Sequence, residues 1–413
     1  MKFALSLMLC VLPLAAQAAD SAWVQATATG FEARLVTDAA NCPILRTDKG
    51  DVAMTLRAPA AANFPLACAA AMPSGAAHAR VADVALPVPS ADPQRILVLG
   101  DTGCRIKGAA VQACNDPHQW PFPPLAAAAA ALKPDLVIHL GDYLYRESAC
   151  PPGNAGCAGS PWGDNWTTWQ ADFYTPAAPL LAAAPIVLVR GNHEDCERAG
   201  LGWLRLQGPS AFDSAAPCTP HLPLYHVDLS ALRLAVMDDA TALDTQFDRD
   251  ESPVYAAELT GLAAIPAPVW FVHHHPIWAA VTGPLGIPIG GNLALIDAVR
   301  VASSSGGPQI APTVELMLSG HIHTFEAINY AGTVPPQIVA GNGGDNLHVT
   351  PQNLRGTQFQ GFSGVTVADG LSVGGFGFLL MTRAEGGWTI DLYDSAGAKT
   401  RTCRFSKRLD CPI

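Results

Sequence analysis

Asp101, Asp142, Asn192 with His193, the run His273-His274-His275, and the pair His321 and His323 share one local context. Each follows the end of a short apolar run: "ILVLGD", "DLVIHLGD", "IVLVRGNHE", "VWFVHHHPIW" and "VELMLSGHIH". A carboxylate, an amide oxygen and imidazoles together make a donor set for hard-to-borderline metal ions. A single Asp at a strand end is most often a turn residue. Five strand ends, each delivering such a donor, point to a shared crevice, because ligands of open α/β sheets sit outside the carboxyl ends of the strands. The chemistry this set suits is that of a dinuclear metal site.

The elements that must position these residues follow from the pattern. From Ile96 onward, four- to eight-residue apolar runs alternate with Ala/Leu-rich stretches such as "LAAAAAALK" and "AAPLLAAAP". This is the signature of α/β units with buried strands. Beyond Phe325 the helical runs stop, and "PQIVAGNGG", "SGVTVADG", "GFGFLLMTRA" and "GWTIDLYD" read as a β meander. Before them, "ARLVT", "AMTLRA" and "ARVADVALPV" are short β-like runs closed by the turn-rich "PVPSADPQR". The expected organisation is a signal peptide at 1–18, a small β-rich module at 19–90, a catalytic domain at 91–395, and a C-terminal tail at 396–413 closed by a disulfide.

Composition narrows the function classes. Of 413 residues, 49% are hydrophobic and 14% charged, which excludes a disordered chain. A net charge of −11 argues against a nucleic-acid groove, since phosphate-backbone binding needs a basic surface. The opening "MKFALSLMLCVLPLAAQAAD" combines Lys2, an apolar run and the small-residue site Ala16-Gln17-Ala18. It reads as a secretory signal with cleavage after Ala18, leaving an exported protein without a membrane span. Loss of Cys10 leaves ten cysteines of the eleven, and export permits disulfides. Neighbour pairing suggests Cys42–Cys68, Cys104–Cys114, Cys150–Cys157, Cys196–Cys218 and Cys403–Cys411. A thiol metal cluster has no C-x-x-C to support it. The oligomeric state is left open.

"GDTG", "GDYLY", "GNHE", "HHPIW" and "GHIH", in that order, resemble the five blocks of the calcineurin-like metallophosphoesterases, and "VAGNGGD" resembles the Gly-rich turn that follows them. The resemblance implies a metallophosphoesterase-type β-sandwich flanked by helices, a four-layer α/β/β/α arrangement in the α/β class. Many members carry D-x-H in the first block; here Gly103 stands at the His position. Asp142 is followed by Tyr145 in the spacing G-D-x-x-Y, which resembles the purple acid phosphatase branch, where such a tyrosine is a phenolate ligand of Fe(III). Tyr143 is the nearer decoy.

Carried over residue by residue, the resemblance implies Asp101, Asp142, Tyr145 and His323 at a first metal, and Asp142 as bridge with Asn192, His274 and His321 at a second. The implied cofactors are Fe(III) and a divalent ion, Fe, Zn or Mn. His193 is implied as the group that holds a phosphoryl oxygen or protonates the leaving group. His275 is a second catalytic candidate able to reach phosphate if strand alternation fails, while His139, mid-strand, reads as a core histidine. Asp238 and Asp239 sit on a structural hairpin, with Asp238 a weak candidate to line the site. Trp162, Trp166 and Trp169 either pack their loop or wall the cleft. The implied function is hydrolysis of small phosphomonoesters. A phosphodiesterase acting on nucleotides or phospholipid head groups, and a non-catalytic envelope binding protein, are the alternatives.

Overall fold

The computed structural model describes residues 20–282, 288–303, 310–359 and 365–412. The expected signal peptide lies outside the described residues. Two sheets form the framework. In the strand Arg95–Leu99, Ile96 and Val98 face the space between the sheets, while Leu97 and Leu99 face a layer of helices. That alternation is the period of two a strand imposes, and a strand apolar at every position is one buried on both faces. Leu136–His139 and Val269–Val272 are buried throughout for the same reason.

The first sheet has eleven strands and a parallel centre of Arg95–Leu99, Leu136–His139 and Ile186–Leu188. Leu99, His139 and Leu188 share one register line, so the loops after them leave the sheet at one level. The second sheet has seven strands. Its centre, Leu232–Val236, Val269–Val272, Val314–Ser319 and Gln337–Ala340, is also parallel. Val236, Val272 and Leu318 are aligned in the same way. Ile138, Val187, Leu234, Trp270 and Leu316 interlock in the core between the sheets.

Helices Phe122–Ala131 and Thr175–Ala183 cover the outer face of the first sheet, and Ser252–Gly261 and Leu293–Ser303 cover that of the second. The result is the expected four-layer α/β/β/α sandwich.

The β-rich residues 19–90 are divided between two sheets rather than standing as one module. Ser21–Thr27 pairs in parallel with Ile186–Leu188, and Gly30–Thr37, Leu66–Ala71 and Thr55–Ala58 continue the large sheet beyond it. Trp23 anchors this junction, fully buried 4.9 Å from the Tyr174 ring. Only Ile44–Thr47, Gly50–Ala53, Ala79–Val81 and Val84–Leu86 form a sheet of their own. At the other end, Lys399–Phe405 and Leu409–Asp410 extend the large sheet past Gly387–Asp394, so the described part of the expected tail is its edge. All five expected disulfides are present. They suit an oxidising, extracellular or periplasmic environment. Among the described residues no helix is long and apolar enough to cross a membrane.

Candidate metal centre

Six non-glycine residues among those described have positive φ, and three of them are Asp101 (58°), Asp142 (60°) and His321 (64°). The left-handed region costs an L-residue about 1–2 kcal/mol, and it persists where the surroundings over-determine it. Here they do. Asp101 carboxylate oxygens accept the His321 N–H at 3.1 and 3.0 Å, and Asp142 Oδ1 accepts the His193 N–H at 2.9 Å. A Cβ added to Gly320 would lie 2.6 Å from Asp101 Oδ2, so this glycine is required by close approach.

The first cluster is Asp101, Asp142, Tyr145 and His323, all buried. The Tyr145 hydroxyl lies 2.7 Å from Asp142 Oδ2, 3.3 Å from Asp101 Oδ1 and 3.1 Å from His323 Nε2. One phenolic proton thus faces three acceptors. Burial pushes the phenol well above its usual range, and the two carboxylates push it further, so an internal cation is what would favour the phenolate. His323 donates Nδ1–H to the Asn346 carbonyl at 2.6 Å, which leaves the Nε2 lone pair facing the cluster. Gly103 explains the missing histidine sterically. A Cβ there would sit 2.7 Å from Tyr145 Cδ2 and 2.6 Å from the Tyr143 carbonyl, so the tyrosine ring occupies the space beside that position.

The second cluster shares Asp142. His274 donates Nδ1–H to the Leu140 carbonyl at 2.7 Å and turns Nε2 to Asp142 Oδ2 at 3.3 Å and Asn192 Oδ1 at 3.1 Å. His321 donates Nε2–H to Asp244 at 2.8 Å, leaving Nδ1 3.2 Å from Asn192 Oδ1. With the amide oxygen inward, lone pairs face lone pairs, an arrangement a cation stabilises. Turning the amide over would instead let its nitrogen donate to His321, His274 and Asp142. Burial opposes charge on both members of the His274–Asp142 pair. Their mutual attraction overcomes it, lifting the imidazole to about 10 and holding the carboxyl well below its usual range. A proton there does what a cation would do. The donors present fit two cations: an oxygen-rich cluster for a hard ion and an imidazole-amide cluster for a softer one.

His193 packs against the Tyr145 ring, centroids 3.6 Å apart and planes tilted by 37°, with Nε2 4.0 Å from Asp142 Oδ2. Its Nδ1 lies 2.8 Å from Glu147 and 2.6 Å from Arg198. Burial lowers this imidazole to about 3, against the pull of Asp142 and Glu147. His193, Tyr145, Asp142 and Arg198 line a cleft of about 610 Å³ that also receives Asn192, His321 and His323.

His275 is placed differently from the expectation. It is 2% exposed, does not line the cleft, and donates Nδ1–H to the Asp239 carbonyl at 2.9 Å. Its ligand atom instead lies within 4.8 Å of those of His274 and His321. The cause is Asp239, whose carboxylate accepts the backbone N–H groups of His274 and His275 and faces His273 Nδ1 at 3.1 Å, curling the strand end. His139 is buried, neutral (burial takes it to about 3) and bonded to Thr102 Oγ1 at 2.9 Å. Tyr143 donates to the Val189 carbonyl at 2.7 Å, away from both clusters. Asp238 pairs with Arg190 at 3.1 Å and does not line the cleft. Trp166 and Trp169 are buried in the helical layer and pack their loop there, Trp162 is exposed, and none of the three lines the cleft.

Sequence reasoning missed the residues that hold these loops. Asp172 accepts the N–H groups of Cys104, Tyr145 and Arg146 at 2.9, 2.8 and 3.2 Å. Glu194 accepts those of Asp142, Tyr143 and Leu144 at 3.1, 2.9 and 3.0 Å. Glu194 was signalled by closing the "GNHE" block. Asp172, inside a helical segment far from any strand end, carried no local signal.

The profile of the calcineurin-like phosphoesterase family matches residues 94–325, more than half of the chain. No curated protein matches significantly. Among solved structures, a purple acid phosphatase from yellow lupin (Lupinus luteus) seeds is similar with TM-score 0.55 and 12% identity, covering 92% of this chain and 73% of that one. PhoD is similar with TM-score 0.57 and 12% identity, covering 95% and 91%. At this identity the likeness concerns the fold.

Proposed function

The chain belongs to the calcineurin-like phosphoesterases, and from that premise we propose that it is an exported phosphatase that hydrolyses small phosphate monoesters at a dinuclear centre. Asp101, Asp142, Tyr145 and His323 would hold Fe(III); Asp142, Asn192, His274 and His321 would hold a divalent ion. The observation that carries this reading is the convergence of these seven side chains in two clusters sharing one carboxylate, the first buried and the second half-open to the cleft through Asn192 and His321. Two cations there supply Lewis acidity toward phosphoryl oxygens and lower the pKa of a water.

The protein's own residues supply the rest. Arg198 points at the mouth of the pocket from its contacts with Glu147 and the Asn192 carbonyl, where it favours a bound anion. His193 Nε2, 4.0 Å from Asp142 Oδ2, is the proton site that would serve the reacting phosphoryl group. Glu147, on its Nδ1, fixes the ring and would stabilise the imidazolium that Nε2 needs in order to give a proton to the leaving oxygen, the charged form that burial by itself disfavours. Burial of His193 and of the Tyr145 ring restricts water on that side of the pocket.

Export by the segment 1–18 is part of the same reading and is supported by five disulfides. The test is metal analysis and a visible spectrum on natively exported protein, with turnover of 4-nitrophenyl phosphate and bis(4-nitrophenyl) phosphate. Iron, a phenolate-to-iron absorption band and monoester preference are expected. Diester preference would replace the monoester assignment. A colourless zinc or manganese enzyme would remove the Fe(III) assignment, and full metal loading without turnover of any phosphate would leave a binding protein.

A further inference from the structure

Beyond the two clusters, Arg105, Lys107 and Arg198 line the cleft together with apolar Pro276, Val281 and Leu293 and the carboxylate of Asp244. The counter-carboxylates of these cations stand behind them. Asp345, fully buried, holds Arg105, and Glu147, 16% exposed, holds both Arg198 and Lys107. Three cations therefore open toward the cleft of a chain whose net charge is −11. They also form a path outward. The Arg105 guanidinium stacks over the Tyr145 ring, 4.8 Å from its centroid, and the hairpin strand Ile106–Lys107 carries Lys107 to the rim, where its side chain is 51% exposed.

We infer that Arg105 and Lys107 form a second anion subsite, and that the preferred substrates are phosphate monoesters whose leaving group carries another negative charge. This deepens the phosphatase reading and rests on it. With the scissile phosphoryl group at Asp142, Asn192 and Tyr145, a leaving group laid along these cations places its far end near Lys107. An uncharged leaving group gains nothing from them. Arg105 faces buried Asp345, which fixes its position, and Lys107 pairs with Glu147 at the rim, so the subsite is read from the ratio between a charged and an uncharged leaving group in a Lys107 variant.

The test compares 4-carboxyphenyl phosphate with 4-(methoxycarbonyl)phenyl phosphate on the metal-loaded enzyme. Wild type should favour the carboxylate by about threefold to fivefold in kcat/KM, through KM, as befits an ion pair near the surface. Lys107→Gln should abolish the preference, bringing the kcat/KM ratio of the two compounds to about one whatever it does to their common rate through Glu147. Lys107→Arg should retain it, and 0.5 M salt should shrink it. Equal kcat/KM for the two compounds in wild type, or equal losses on both in Lys107→Gln, overturns the subsite while the phosphatase reading stands. Hydrolysis of neither compound refutes the phosphatase reading and the subsite with it.

Discussion

Glu326 offers a test of the second sheet that is independent of any metal. It sits in the strand Phe325–Tyr330 on the face that carries Ile328 and Tyr330, fully buried, with Oε2 accepting only the Ala280 N–H at 3.2 Å and Oε1 unpartnered. Burial raises its carboxyl from 4.5 to about 8, and the single N–H bond does little to oppose this. The folded state therefore keeps the proton while the unfolded chain releases it. Because the folded value is the raised one, the contribution to stability is complete below about pH 4.5. It declines as pH rises and is lost once pH passes about 8. The difference between the two values corresponds to as much as ~5 kcal/mol across that window. Denaturant unfolding of the disulfide-intact protein at pH 5, 7 and 9 measures it. Wild type should lose stability over this range, and Glu326→Gln, which cannot ionise, should lose several kcal/mol less. Parallel pH profiles for the two proteins would refute the reasoning, since the slope would then come from other groups.

Tyr145→Phe should bleach the visible band of the iron-loaded protein while leaving the fold intact; an unchanged spectrum would remove the phenolate assignment. Asp142→Asn should abolish turnover and reduce metal content, whereas His139→Asn should retain both and lower stability by about 1–3 kcal/mol through the disturbed bond to Thr102. Like behaviour of these two variants, in metal content and activity, would contradict the site map. Gly103→Ala should cost about 1–3 kcal/mol by forcing its Cβ against Tyr145 and the Tyr143 carbonyl. A neutral effect in urea titration would mean the tyrosine ring has room to move.

The residues that gather in the two clusters were legible from sequence because a parallel strand advertises itself twice. Its interior is apolar on both faces, as in Leu136–His139, and its carboxyl end is where polar chemistry concentrates, as at Asp142. The same logic exposed Asp101, Asn192, His274, His321 and His323. The five disulfides were legible because all ten remaining cysteines pair within 26 residues of each other.

Tertiary structure alone decided which groups support those side chains. Asp172 reaches Cys104 and Tyr145 from a helical segment, Asp244 reaches His321 across 77 residues, and Arg105 meets Asp345 across 240. Such pairings depend on how two sheets stack and where their loops emerge, and a carboxylate in a loop has the same local sequence whether it meets solvent or an imidazole. His275 makes the same point at one residue. Strand alternation left its direction open, and the Asp239 carboxylate, brought alongside by the neighbouring parallel strand, turned it inward among the imidazoles. Local pattern determines which side chains are presented at strand ends; long-range packing determines what they face.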